Sequence, residues 1–113
     1  MGHFEIFVRD VQKSRIFYED VLGFEFFDQQ GDQFVWLKNG DLEFLLCPGE
    51  NPSHAPDYQK TSMTIVLYTE DLTTTKNELE RRGLEFKGFD GSEKCLTFTD
   101  PDGNWIQLVN PNE

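Results

Sequence analysis

Thr99-Asp100-Pro101-Asp102-Gly103-Asn104-Trp105-Ile106-Gln107-Leu108-Val109 decides how the chain folds. It reads as a tight turn feeding a final strand. Proline at the second turn position presets φ, and glycine at the fourth tolerates the exit geometry. The residues that follow alternate. Trp105, Gln107 and Val109 share one face, and Ile106 and Leu108 share the other. Ile106 and Leu108 suit a packed core, so Gln107 is a polar group directed away from it.

Upstream of this stretch the same grammar appears twice. In the second half, Ser62 to Thr69 reads as a strand and Asp71 as the cap of a helix over Leu72 to Arg82. Gly83 ends that helix, and strands follow at Leu84 to Lys87, Cys95 to Thr99 and Asn104 to Val109. In the first half, His3 to Val8 alternates as a half-buried strand, with His3, Glu5 and Phe7 on one face. Asp10 caps a helix over Val11 to Leu22, whose Ile16, Phe17, Val21 and Leu22 lie close to helical spacing, and Gly23 stops it. Strands follow at Phe24 to Phe27, Phe34 to Lys38 and Leu42 to Cys47, with a Gly31-Asp32 turn and an Asn39-Gly40 hairpin signal between them. The words repeat as well. Asp10-Val11 through Gly23-Phe24-Glu25-Phe26 parallels Asp71-Leu72 through Gly83-Leu84-Glu85-Phe86, with thirteen positions from Asp to Gly in the first copy and twelve in the second. The expected fold is α+β: two βαβββ modules in one domain of 113 residues, at 1–48 and 61–113. A linker at 49–60, rich in Pro and Gly and poor in apolar residues, joins them.

Composition narrows the function. A formal net charge of −11 argues against nucleic acid, which needs Lys and Arg against its phosphates. No apolar run approaches membrane-spanning length and no basic-then-apolar leader opens the chain, so the expectation is a soluble, cytoplasmic protein. Cys47 and Cys95 are isolated in apolar stretches and read as small buried residues. No nucleophile elbow, phosphate loop or paired-cysteine site is present. The aromatic load is high, with 11 Phe, 3 Tyr and 2 Trp, enough to line a cavity as well as fill a core. On strand parity, Glu5, Phe7, Trp36 and Trp105 turn to one face, with Glu25 a further candidate. Carboxylates among aromatic rings suit an organic cation, through ion pairing and cation–π attraction.

The doubled unit, His3 seven residues before Asp10, "DVQKSRIFYEDVLGFEF" (Asp10 to Phe26) and "FTDPDGNWIQLVNP" (Phe98 to Pro111) together resemble the vicinal oxygen chelate superfamily. That superfamily includes glyoxalase I, the fosfomycin- and bleomycin-resistance proteins and the extradiol dioxygenases. The resemblance implies a curved, groove-bearing mixed sheet, with paired modules closing the groove and two chains forming a homodimer. It also implies metal ligands from the groove-facing residues of the first and fourth strand of each module, which fall here on His3, Glu43, Thr64 and Gln107. Gln107 stands where the family pattern has Glu. Thr64 is a neutral hydroxyl, so two of the four depart from the His and Glu that a divalent cation prefers.

Three functions from different classes are compatible with these residues. The first is a binder of a cationic or aromatic small molecule, using Glu5, Phe7, Trp36, Glu43, Trp105 and Gln107, with no metal or a weakly bound divalent one. The second is a metal-dependent lyase, thiol transferase or dioxygenase that relies on His3 and Glu43. The third is a ligand-free protein-interaction domain. His54, in the linker, has no partner in the sequence. If the four positions converge, Gln107→Glu combined with Thr64→His is expected to create or strengthen divalent-metal binding. Unchanged metal affinity by calorimetry would show that the four were aligned wrongly.

Overall fold

The computed structural model describes residues 2–50, 55–88 and 94–113. The chain divides into two compact units, Met1–Pro52 and Ser53–Glu113. In the first, strand β1 (Phe4–Val8) leads through Asp10 into helix α1 (Val11–Ile16), whose last turn continues as a wider π turn over Phe17–Val21. Strands β2 (Glu25–Gln30), β3 (Phe34–Asn39) and β4 (Leu42–Pro48) complete it. The sheet order is β1-β4-β3-β2, with β1 parallel to β4 and the other pairs antiparallel. The second unit has a short 3₁₀ turn (Tyr58–Lys60), then β5 (Ile65–Tyr68), α2 (Leu72–Arg81), β6 (Cys95–Thr99) and β7 (Trp105–Val109). Its sheet order is β5-β7-β6, with β5 parallel to β7 and β6 antiparallel. No helix among the described residues is long and apolar enough to cross a membrane.

Both helices start and stop as their sequences direct. The Asp10 carboxylate accepts from the Lys13 N–H at 3.1 Å and that of Asp71 from the Thr74 N–H at 3.0 Å, each filling a donor the first turn leaves open. The Thr74 contact also holds the Asp71 carboxyl below its ordinary range. At the far end Gly83 takes φ +99°, and the Leu84 N–H returns to the Leu79 carbonyl at 3.0 Å. The first copy closes the same way with one residue more. Gly23 takes φ +79° and the Phe24 N–H returns to the Tyr18 carbonyl at 2.8 Å. The extra position between Asp10 and Gly23 is therefore absorbed inside the helix. The Leu22 N–H reaches back five residues to the Phe17 carbonyl at 3.2 Å, which is the π turn.

The residues that face the core differ from those expected. Helical spacing placed Ile16 inward, but it is 59% exposed. The buried stripe is Val11, Ser14 and Tyr18. Tyr18 is fully buried, and its ring meets Phe24 at 5.6 Å and Phe44 at 5.0 Å between centroids, both edge to face. Val8, Val35, Leu37 and Leu46 complete the core on this face of the sheet.

Leu84 to Lys87, expected as a strand, does not form one. The chain makes one reciprocal pair of bonds to β6, Lys87 N–H to the Thr97 carbonyl at 2.7 Å and Thr97 N–H to the Gly88 carbonyl at 3.0 Å. Gly88 then takes φ +102°, which breaks the extended run. The linker stretch, expected to hold turns and extended backbone, carries the short 3₁₀ turn at Tyr58–Lys60. Positions 55–60 fold onto the second unit, as described below, while 51–54, including His54, lie outside the described residues.

The final turn forms as its sequence directs. Asp100 is 3% exposed, and its carboxylate accepts from the Asp102 N–H (2.9 Å), the Asn104 N–H (2.9 Å) and the Asn104 side-chain amide (2.8 Å). The Gly103 N–H closes the turn on the Asp100 carbonyl at 3.0 Å.

Ser14, 1% exposed, has no hydrogen-bond partner for its Oγ among the described residues. A buried hydroxyl left unpaired is destabilising, and alanine is the better helix former. Ser14→Ala is expected to stabilise the protein by about 1 kcal/mol, read from the denaturant midpoint. A fall in the midpoint would mean that the hydroxyl is bonded after all.

Candidate functional site

In the first unit the helix covers one face of the sheet, where Phe44 meets Tyr18. Strand alternation turns Glu43, Leu45 and Cys47 to the opposite, helix-free face. The pairing builds that face row by row. Glu5 aligns with Leu45, Leu45 with Trp36, and Trp36 with Asp28. In the next row Glu43 aligns with Lys38, and Lys38 with Glu25. His3 precedes β1, and its ring lies 4.5 Å from Trp36 at 63°, on this same face. Its Nε2 is 3.0 Å from Glu5 Oε2. The Cys47 thiol donates weakly to the other Glu5 oxygen, at 3.9 Å. Burial, and then the Glu5 charge, push that thiol above its ordinary range, so it stays neutral.

One irregularity interrupts the outer pairing of this face. The pairing of β2 with β3 slips between Phe26 and Asp28, leaving Phe27 as an extra residue. Phe26 lies on the helix side, where the Arg15 guanidinium is 4.0 Å from its ring centroid. Phe27, two residues on from Glu25, lies on the open face, 5.9 Å from Trp36 between centroids. Phe7 and Phe27 are 53% and 41% exposed, so two rings meet solvent beside the half-buried Trp36.

The second unit carries the remaining candidates. Gln107 aligns with Val66 on one side and Thr97 on the other, and Trp105 with Thr99. Ile106 and Leu108 turn to the apolar face, with Leu67, Leu96 and Phe98. Trp105, on the Gln107 face, is shielded at 5% exposure. Its indole N–H donates to the Ala55 carbonyl at 2.9 Å, and Tyr58 stands edge-on at 6.1 Å. The Thr64 hydroxyl donates to the Trp105 carbonyl at 3.1 Å.

Within the first unit, then, the structure brings His3, Glu5 and Trp36 into contact, with Glu43 and Phe7 on the same face. Within the second it joins Thr64 to Trp105, with Gln107 along the same strand as Trp105. Sequence reading missed Phe27, Lys38 and Tyr58. Phe27 stands two residues from Glu25 and Lys38 two from Trp36, so strand alternation carries the signal for both, whereas a tyrosine inside a Pro-rich stretch gives no period. The Asp28-Gln29-Gln30 run after Phe27 was a faint signal that the strand extends further.

The set His3, Glu43, Thr64 and Gln107 does not fit a divalent cation. It offers one carboxylate, an imidazole beside Glu5, a neutral amide, and a hydroxyl turned to a backbone carbonyl. Among the described residues no group of three or more His, Cys, Asp or Glu is placed to hold a metal ion.

The sequence model of the Glyoxalase/Bleomycin resistance protein/Dioxygenase superfamily matches residues 1–108. The chain belongs to this superfamily. None of the curated proteins compared with it matches. Among solved structures it is similar to a lactoylglutathione lyase from Agrobacterium tumefaciens, at 19% identity and TM-score 0.73, covering 98% of this chain and 92% of that one. A mutant of the fosfomycin resistance protein FosX from Listeria monocytogenes, complexed with Mn(II) and 1S,2S-dihydroxypropylphosphonic acid, gives 15% identity and TM-score 0.73, over 96% and 87% of the two chains. TnmS3, an antibiotic binding protein from Streptomyces sp. CB03234, gives 26% identity and TM-score 0.66, over 98% and 97%. The superfamily hosts both catalysts and binders, so the choice between them rests on the site.

The two tryptophans report on the two faces separately. In Trp36→Phe, the remaining Trp105 emission is expected to be blue-shifted and poorly quenched by acrylamide. In Trp105→Phe, the Trp36 emission is expected to be red-shifted and readily quenched. The reverse order would place Trp105, not Trp36, in solvent.

Proposed function

We propose that this protein binds a cationic, aromatic small molecule against the helix-free face of its first unit, without a tightly held metal. The observation that carries the reading is the juxtaposition there of exposed rings with carboxylates. Phe7, Phe27 and Trp36 share that face with Glu5 and Glu43. A flat ligand stacks on Trp36 and Phe27, and its positive charge pairs with Glu5 or Glu43. Ring quadrupole and carboxylate attract the same cation, and they do so more strongly as the ligand displaces water. The antibiotic-binding role printed for TnmS3, the most identical of the three relatives described, supports a binder over a catalyst. The donor set at His3, Glu43, Thr64 and Gln107 weakens the metal-dependent enzyme reading for the same site.

Thermal-shift screening and calorimetry with phenyltrimethylammonium, larger cationic aromatics and a bleomycin-type glycopeptide, against benzoate as the anionic control, test this. Cations are expected to stabilise the protein and benzoate to leave it unchanged. Glu5→Gln should weaken cation binding by about tenfold, the size of one charge-assisted contact. Stabilisation by benzoate alone, or by none of the cations, would overturn the proposal.

A further inference from the structure

We propose that Lys38 is a resident stand-in for the ligand's cation, and that it sets how tightly and how selectively the face binds. The inference rests on the reading that the first unit's helix-free face takes cationic aromatics. Lys38 Nζ lies 5.5 Å from the Phe27 ring centroid, within cation–π range. The same nitrogen is 3.9 Å from Glu25 Oε2, and in the pairing register Lys38 lies between Glu25 on β2 and Glu43 on β4. The protein's own ammonium therefore holds the place that the proposed ligand's charge would take, over a ring and beside the Glu25 carboxylate, in the row that also carries Glu43.

The geometry also makes Lys38 displaceable. Its ion pair is at the long limit of contact, with side chains 42% and 75% exposed, and such pairs contribute little. Arg15 shows what a held cation looks like in the same unit. Its Nε donates to Glu19 at 2.7 Å, a second nitrogen donates to Gln29 at 3.0 Å, and the guanidinium stacks on Phe26. Lys38 has one long contact on a flexible four-carbon stem. A ligand that brings its own cation moves the lysine into solvent and inherits Phe27, Glu25 and Glu43. A neutral aromatic gains no such exchange.

The test is calorimetry with phenyltrimethylammonium on the wild type, Lys38→Met, Lys38→Arg and Lys13→Met. Lys13 lies on α1, which covers the other face of the sheet, and its removal controls for net charge. Lys38→Met is expected to bind the cation about tenfold more tightly than the wild type, within the span of one cation–π contact. Lys38→Arg and Lys13→Met should stay within about twofold of the wild type. If the wild type binds and Lys38→Met binds no more tightly, the stand-in role is wrong and the binding function stands. An equal gain in Lys13→Met would reduce the effect to overall charge and also overturn the role. If neither the wild type nor Lys38→Met binds any cation, both proposals fall.

Discussion

The second unit depends on one buried carboxylate. Asp100 sits at the bend between β6 and β7, and it is saturated by two backbone N–H groups and one side-chain amide. Charge-assisted bonds of this kind contribute about 1.5–3 kcal/mol each, and they act at the point where the chain reverses. Fixing that reversal fixes the β6–β7 register, which sets Gln107 against Thr97. A slip of one residue would turn every β7 side chain over, sending Ile106 and Leu108 outward and Gln107 into the core.

Much of this architecture was legible from residue types. Both aspartate caps, both glycine stops, the Asn39-Gly40 hairpin and the alternation of the final strand depend on interactions within a few residues, which local sequence encodes. What escaped reading depends on partners far along the chain or on a single added residue. Ile16 lies close to helical spacing, yet the core takes Tyr18, in line with Val11 and Ser14, because Phe24 and Phe44 receive its ring. The bulge beside Phe27 shows only in the pairing with β3, where a position is skipped. Tyr58 gains meaning only from Trp105, and the run from Leu84 to Lys87 fails as a strand at a glycine whose φ no periodicity reveals. The candidate site was legible to the same degree. Parity put His3, Glu5, Phe7 and Trp36 on one face and the family resemblance added Glu43, while Phe27, two residues from Glu25, and Lys38, two from Trp36, follow from the same alternation.

The two copies share a scaffold but not a surface. The helix-free face of the first unit is charged and aromatic, with Glu5, Glu25, Lys38, Glu43, Phe27 and Trp36. The matching face of the second bears Thr64, Val66, Tyr68, Thr97 and Gln107 without a charged group among them, and its Trp105 is covered by the chain's own Tyr58 and Ala55. Functional groups concentrated on one copy suit a receptor for a charged, flat molecule. A metal shell drawn evenly from both copies would call for ionic donors on each.

The π turn at Phe17–Val21 has a consequence for how such duplicated chains diverge. Thirteen positions in one copy and twelve in the other both end on a left-handed glycine followed by a buried residue that re-enters the fold, Phe24 and Leu84. The surplus residue is stored as slack within the helical coil rather than passed on as a frame shift. An insertion in a helix would ordinarily rotate everything after it by about 100°. Here the widened loop of backbone takes up that rotation, so the copies differ in length while the glycine stop and the buried residue after it stay in place. Regular structure, and not only surface loops, was where this chain accommodated a change in its own length.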